Sequence, residues 1–457
     1  MAIAEGEAPA QPTSQRRRSE VTPTKASAGP VWRRYLRAMG PGLVTGASDD
    51  DPSGVATYSQ AGATFGLAML WTALVTLPLM ATVQEICDRT ALATGRGMGE
   101  LVVIRFQRVG RTIAVVLIGA LIVANALNIA ADLVAVGSGM TLLHAGPTAL
   151  WALIAGIAVT AALVLGSFAR IALLFKILCA ALLTYVVVAV MVTGSWSRVA
   201  AHTFVPHITL TKDYLALLVA VLGTTISPYL FFWQSAHRLE EMRDEPEGGT
   251  RAVPLKDQAP SRARRKERTS RVDVFTGMAF SNLVMFAIIV ATAETLHAHG
   301  NSNVQSAADA ARALRPVAGH FAGTLFALGF IGSGLLAIPV LAGAGSVAMA
   351  GVLGKQWGFS RSVRQAPVFY GLVAVGTLGG MILSLVHINP IKLLVLVAVI
   401  NGVAAAPFLV IVMCISGSRR IMGDHVNGWF ATLVGWATVI VMAVAAVAMF
   451  ATGGVSL

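Results

Sequence analysis

Charge is scarce in this chain. Only 12% of its 457 residues are Asp, Glu, Lys or Arg, about half of the roughly 25% usual in a soluble globular domain. With 56% hydrophobic residues and a mean hydropathy of +0.72, the shortfall excludes a soluble core and predicts an all-α protein that crosses the membrane many times. Cysteine is scarce too. Cys87, Cys179 and Cys414 lie in or beside apolar runs, with neither metal-ligand spacing nor a secretory disulfide framework. The nine histidines form no His-x-x-x-His ladder, which argues against a histidine metal site. No Walker A motif is present, and Gly95-x-Gly97-x-Gly99 follows no strand, so neither ATP drive nor a nucleotide loop is expected. Residues 1–30 hold no apolar stretch of signal-peptide type. Their Ser, Pro and Arg content predicts a disordered basic tail over 1–37.

A span needs roughly 20 mostly apolar residues. Eleven segments qualify: about 38–65, 67–87, 112–140, 147–166, 169–194, 213–237, 273–297, 320–352, 366–387, 390–415 and 428–452. Pro339 is expected to kink the eighth. The net charge of +12 resides in loops. With the N-terminus inside, all 34 Lys and Arg except Arg198, Lys212, Arg312, Arg315 and Lys392 fall on the inner side. By the positive-inside rule this places the N-terminus in the cytoplasm and the C-terminus outside, in a plasma membrane of the bacterial inner-membrane type. The richest loop, 238–271, carries Arg262, Arg264, Arg265, Lys266 and Arg268. It is expected to be a solvated topology determinant; contact with anionic lipid is the alternative and nucleic acid is not an expected partner. The bilayer and a metal cation are the expected partners, with no obligatory protein partner.

Within the first span stand Asp49-Asp50-Asp51, followed by Pro52-Ser53-Gly54. Charge at bilayer depth is costly and usually functional, and a proline and glycine behind it break the helix. The sixth span has its own mid-membrane proline at Pro228. Two breaks five spans apart predict an inverted 5+5 repeat of the LeuT type, residues 38–194 against 213–415, with 428–452 as an eleventh helix. Each proline frees the carbonyl four residues earlier, Ser48 or Thr224, and a cation can satisfy such a group. The expected cage is the Asp51 carboxylate, the Thr224 carbonyl and hydroxyls such as Ser227. Asp49 and Asp50 are expected either to neutralise the entrance or hold a second ion, or else to face a wet vestibule. Asn401 could bring an amide to the site, though an interhelical hydrogen bond is the commoner role. Gln234 and Tyr58 are candidates for metal-bound waters, with packing as the default.

Several stretches carry a family likeness. Gly40-Pro41-Gly42 before the Asp51-Pro52-Ser53-Gly54 break resembles helix 1 of the natural resistance-associated macrophage protein (NRAMP) metal transporters, whose break reads Asp-Pro-Gly-Asn. Gln84-Glu85 through Arg89-Thr90, Ala93-Thr94-Gly95-Arg96-Gly97 and Ala130-Ala131-Asp132-Leu133 look like that family's second and third helices. The resemblance implies a secondary transporter of divalent cations, with no resident cofactor and the metal as cargo. The departures matter as much. Gly54 stands where the family has asparagine. In the helix-6 pattern Ala-x-x-Met-Pro-His, Ser227 replaces methionine and Tyr229 histidine. Losing a soft thioether and an amide leaves an oxygen site suited to partly hydrated Mg²⁺, as in the NRAMP-related magnesium transporters, the branch this chain resembles more. The family's proton route uses the aspartate kept as Asp132, a glutamate that is Ala135 here, and the histidine that is Tyr229. This implies transport without obligatory proton coupling; a proton-coupled Mn²⁺/Fe²⁺ symporter is the alternative. An organic-solute symporter would need groups for a carboxylate or amine, and the anionic break argues for a cation instead. An intramembrane hydrolase using Asp51 and Asp132 as an acid–base dyad lacks the Gly-x-Gly-Asp signature.

Overall fold

The computed structural model describes residues 41–165, 180–245, 248–249, 251–386 and 389–453. The tail 1–37, Gly40, Cys179, the first part of the fifth predicted span and three positions of the 238–271 loop lie outside them. The described residues are helical throughout, with no strand. In chain order the helices are α1 Pro41–Asp49, α2 Pro52–Phe65, α3 Trp71–Thr94, α4 Met98–Leu142, α5 Thr148–Val164, α6 Thr184–Val192 and α7 Trp196–Phe204. They continue as α8 Lys212–Thr225, α9 Pro228–Asp244, α10 Pro260–Thr295, α11 Ala322–Val352, α12 Pro367–Ser384, α13 Pro390–Ser416 and α14 Trp429–Ala451. Helices suit this composition because they satisfy every backbone group internally, as hydrocarbon requires.

Each predicted span coincides with helix over the described residues, but not each is one long helix. Among those residues seven helices are long and apolar enough to cross a membrane, or nine if two sharply bent pairs each count as one. α5, at 17 residues, is shorter than those, and the first span is the broken pair α1–α2. α4 departs from helical geometry at Gln107, whose φ is 54°. Its apolar portion, Arg111–Leu142, begins just beyond, close to the predicted start at 112. α11 runs as one helix through Pro339.

Both predicted breaks are present and alike. α1 ends at Asp49 and α2 restarts with Pro52 as its first residue; α8 ends at Thr225 and α9 restarts with Pro228. Proline suits a first helical position because its missing N–H has no partner to lose there. Small residues let the broken helices approach their neighbours. A Cβ on Gly46 would lie 2.2 Å from the Gly277 carbonyl oxygen of α10, and one on Gly223 would lie 2.3 Å from the Gly402 nitrogen of α13. Large apolar side chains such as Val116, Ile382, Ile440 and Val444 point outward, as expected where lipid replaces water.

Candidate metal site

Asp51 is the N-cap of α2. Its Oδ1 accepts from the Gly54 N–H at 2.9 Å and from the Ser53 hydroxyl at 2.5 Å. Aspartate before proline at a helix start is a capping arrangement in its own right, a role easily overlooked in an intramembrane aspartate. The other oxygen, Oδ2, accepts from the Tyr229 hydroxyl at 3.2 Å, across to α9. Ser53 Oγ lies 3.1 Å from Thr224 Oγ1 on α8. Gly54 faces the same threonine, and a Cβ there would stand 3.3 Å from its Oγ1 and 3.3 Å from the Tyr58 ring. The two breaks therefore meet around one buried carboxylate, and the groups touching it are hydroxyls and a backbone N–H.

The second break is arranged differently from the expected cage. The Ser227 hydroxyl, at the N-cap of α9, turns back on α8, 2.8 Å from both the Gly223 and the Thr224 carbonyl oxygens. The carbonyl released by Pro228 thus already accepts from serine, and Ser227 and the Thr224 carbonyl are engaged with each other in this state. Thr224 reaches the Asp51 group through its side chain, a contact that backbone accounting does not anticipate. Tyr58 joins the second break, its hydroxyl 3.0 Å from Thr225 Oγ1. A thioether does stand nearby, on α10 rather than α8: Met285 Sδ is 3.8 Å from Thr225 Oγ1.

The remaining candidates separate. Asp49 and Asp50 are buried, which removes the wet-vestibule reading. The Ser281 hydroxyl of α10 lies 2.7 Å from Asp49 Oδ2 and 3.1 Å from Asp50 Oδ1, while Asp49 Oδ1 and Asp50 Oδ2 have no hydrogen-bond partner. Asp132 on α4 is buried with both carboxylate oxygens unpartnered, and it interacts electrostatically with Asp51. Asn401 does not reach the site. It pairs reciprocally with Asn128, the two amide contacts being 3.1 and 3.3 Å, and so ties α13 to α4 as an interhelical hydrogen bond. Gln234 serves the lattice described next. Among the described residues no group of three or more His, Cys, Asp or Glu side chains could hold a metal ion, so the three consecutive aspartates do not form a common cage.

Toward the end of the bundle carrying the Arg-rich loops, α1 is held by a polar lattice. Arg238 of α9 donates to Asp88 of α3 at 2.8 Å and to Asp273 of α10 at 3.2 Å, and also pairs with Glu241. Asp88 accepts from Gln234 at 2.7 Å and from Ser270. Two bonds reach α1 itself: Thr45 donates to Gln234 at 2.5 Å, and the Gly42 N–H donates to Asp273 at 2.8 Å. Asp88, Arg238 and Asp273 each stand near the end of a predicted span, where nothing local in the sequence marks them as partners.

The whole-chain comparison agrees with this geometry. The family description "Natural resistance-associated macrophage protein-like" matches residues 42–452. The chain belongs to the Nramp family. Similar relatives include the divalent metal cation transporter MntH of Verminephrobacter eiseniae, 29% identical over 92% of this chain and 91% of that protein. MntH of Klebsiella pneumoniae is 26% identical over 89% and 92%. Among solved structures, the Eremococcus coleocola manganese transporter superposes with a TM-score of 0.72 at 16% identity, covering 95% of this chain and 90% of that one. This Nramp chain therefore has the LeuT-type fold predicted from its two breaks.

Proposed function

We propose that this Nramp chain carries divalent metal cations across the membrane by alternating access, with partly hydrated Mg²⁺ favoured, Mn²⁺ also carried, and no obligatory coupling to protons. The observation that carries the reading is Asp51, a buried carboxylate at the meeting point of two helix breaks, touched by the Ser53 and Tyr229 hydroxyls and the Gly54 backbone N–H. Hard oxygen donors favour a hard ion that keeps some of its water. Ser227 and the Thr224 carbonyl join the ion once they release each other, and Gly54 leaves room for water where a longer side chain would stand. Tyr229 steadies the carboxylate. Asp132 supplies a second negative charge from α4. The chain sits in a plasma membrane of bacterial type with its N-terminus and Arg-rich loops inside.

A second reading is a proton-coupled Mn²⁺ or Fe²⁺ symporter; its preference for a softer metal is favoured by the manganese transporter of similar fold and by the Met285 thioether near Thr225. Uptake into proteoliposomes with Mg²⁺, Mn²⁺ and Ca²⁺ in competition, for wild type and Asp51→Ala, tests the site. A luminal pH dye tests the coupling. Transport by Asp51→Ala at the wild-type rate would sink the central-site reading. Luminal acidification in step with metal uptake would favour the symporter.

A further inference from the structure

We propose that the Arg-rich end of α10 and the start of α14 form a binding site for the headgroup of an anionic phospholipid. α10 extends well beyond its apolar portion, and one face of it stays exposed from Pro260 to Leu283. In order that face presents Arg264, Arg268, Arg271, Phe275 and Leu283, spaced by three, four or eight residues as one stripe of a helix requires. Guanidinium thus gives way to apolar side chain along a continuous line, which marks the depth where headgroups meet acyl chains. Trp429 and Phe430, exposed at the start of α14, are of the type that settles at that depth.

The surface there is concave. A cavity of about 360 Å³ is lined by Arg264, Glu267, Arg268 and Arg271. A second, of about 510 Å³, shares Glu267 and Arg271 and extends past Arg89, Glu85, Asp424 and His425 to Phe275, Phe430 and Ala431, with Glu85 held by Arg89. Together they form an amphiphilic groove, cationic at one end and apolar at the membrane side. Neither Arg264 nor Arg268 has an ion-pair partner among the described residues, whereas Glu267 is shared between Arg271 at 3.8 Å and His425 at 3.9 Å. Two guanidiniums are therefore uncommitted beside an apolar ledge. Charge complementarity selects a phosphate-bearing lipid, and planar guanidinium suits phosphate oxygens. A positive-inside loop acting only on topology would need the charge but not the groove.

The full chain, purified in mild detergent, is exposed to equal amounts of phosphatidylglycerol and phosphatidylcholine, and lipid retention is read by native mass spectrometry. Thermal unfolding is followed in parallel in nanodiscs of each composition. Wild type is expected to retain phosphatidylglycerol at least about tenfold over phosphatidylcholine and to unfold at a higher temperature in the anionic discs. The triple variant Arg264→Gln, Arg268→Gln, Arg271→Gln is expected to lose both effects. Arg364→Gln, an exposed arginine outside the groove, is expected to keep them. Because Arg271 also meets Glu85, the double variant Arg264→Gln, Arg268→Gln guards against a general folding defect and is expected to lose most of the preference. Equal retention of the two lipids by wild type, an undiminished preference in the double variant, or an equal loss in Arg364→Gln would overturn the site. So would an equal thermal shift from inorganic phosphate alone.

Discussion

Asp51 has two roles that substitutions can separate. Its carboxylate caps α2 through Gly54 N–H and Ser53, and the same group is the proposed ligand. Asparagine caps a helix nearly as well as aspartate, while alanine forfeits about 1 kcal/mol. Asp51→Asn is therefore expected to keep its thermal stability but to lose Mn²⁺ binding by at least about tenfold, read by calorimetry. Asp51→Ala should lose the binding and also unfold earlier. Wild-type affinity in Asp51→Asn would remove the carboxylate from the site. Ion choice is tested at the positions that depart from the family. Gly54→Asn with Ser227→Met adds an amide beside Thr224 and a thioether at the second break, and is expected to raise Mn²⁺ uptake relative to Mg²⁺ in competition. Met285→Leu should leave that ratio unchanged, because its sulfur contacts hydroxyls away from Asp51; a fall in Mn²⁺ preference there would make Met285 the soft ligand.

The mobile candidate among the elements is α1, nine residues held at one end by the Asp88–Arg238–Asp273 lattice and along its side by Gly46 against Gly277. In the alternating-access cycle proposed above, opening the site toward the Arg-rich end would part these contacts. Removing one partner of a buried ion pair strands the other charge, at a cost of about 3–5 kcal/mol. Arg238→Ala is expected to destabilise by about that much and to speed hydrogen exchange over residues 41–49. Asp88→Asn with Arg238→Gln should recover part of both, since the fully buried Asp88 charge is then no longer stranded, while Asp273 and Glu241, which retain some exposure, lose the guanidinium in both variants; equal damage in single and double variants would deny the lattice its role. The contrast shows what a sequence can disclose. The spans and both breaks were legible because apolar runs and prolines act locally. The lattice was not, because Asp88 and Arg238 lie 150 residues apart and each matches the ordinary charged end of a helix. Nor was the self-engagement of Ser227 with Thr224 visible, because the same proline that frees a carbonyl places a hydroxyl within reach of it.

At the scale of the whole molecule the question is which gradient drives the cation. Asp49, Asp50, Asp51 and Asp132 are all buried, and among the described residues none is in an ion pair with Lys or Arg. α12, which contacts the Asp132 helix α4, contains no charged residue over Pro367–Ser384. Its one titratable side chain, Tyr370, donates to the Arg361 carbonyl at 2.8 Å, so a proton route leading from Asp132 through α12 would find no carboxylate or imidazole to land on. If metal moves alone, each turnover carries two charges, and the membrane potential acts on it directly. At about 2.3 kcal/mol per charge per 100 mV, a divalent ion gains about 4.6 kcal/mol, enough for an accumulation on the order of 10³-fold. Proteoliposomes poised inside-negative with potassium and valinomycin, with no pH difference, are therefore expected to concentrate Mn²⁺ steeply with the imposed potential. Adding a pH difference at fixed potential should leave the final ratio unchanged, and the lumen should not acidify beyond the passive leak. A coupled symporter behaves otherwise: each tenfold proton gradient would multiply the accumulated metal by about ten per proton carried, since about 1.4 kcal/mol is a factor of ten in an equilibrium. A ratio that climbs in this way would restore the proton to the cycle and would require a route through groups other than Ala135 and Tyr229.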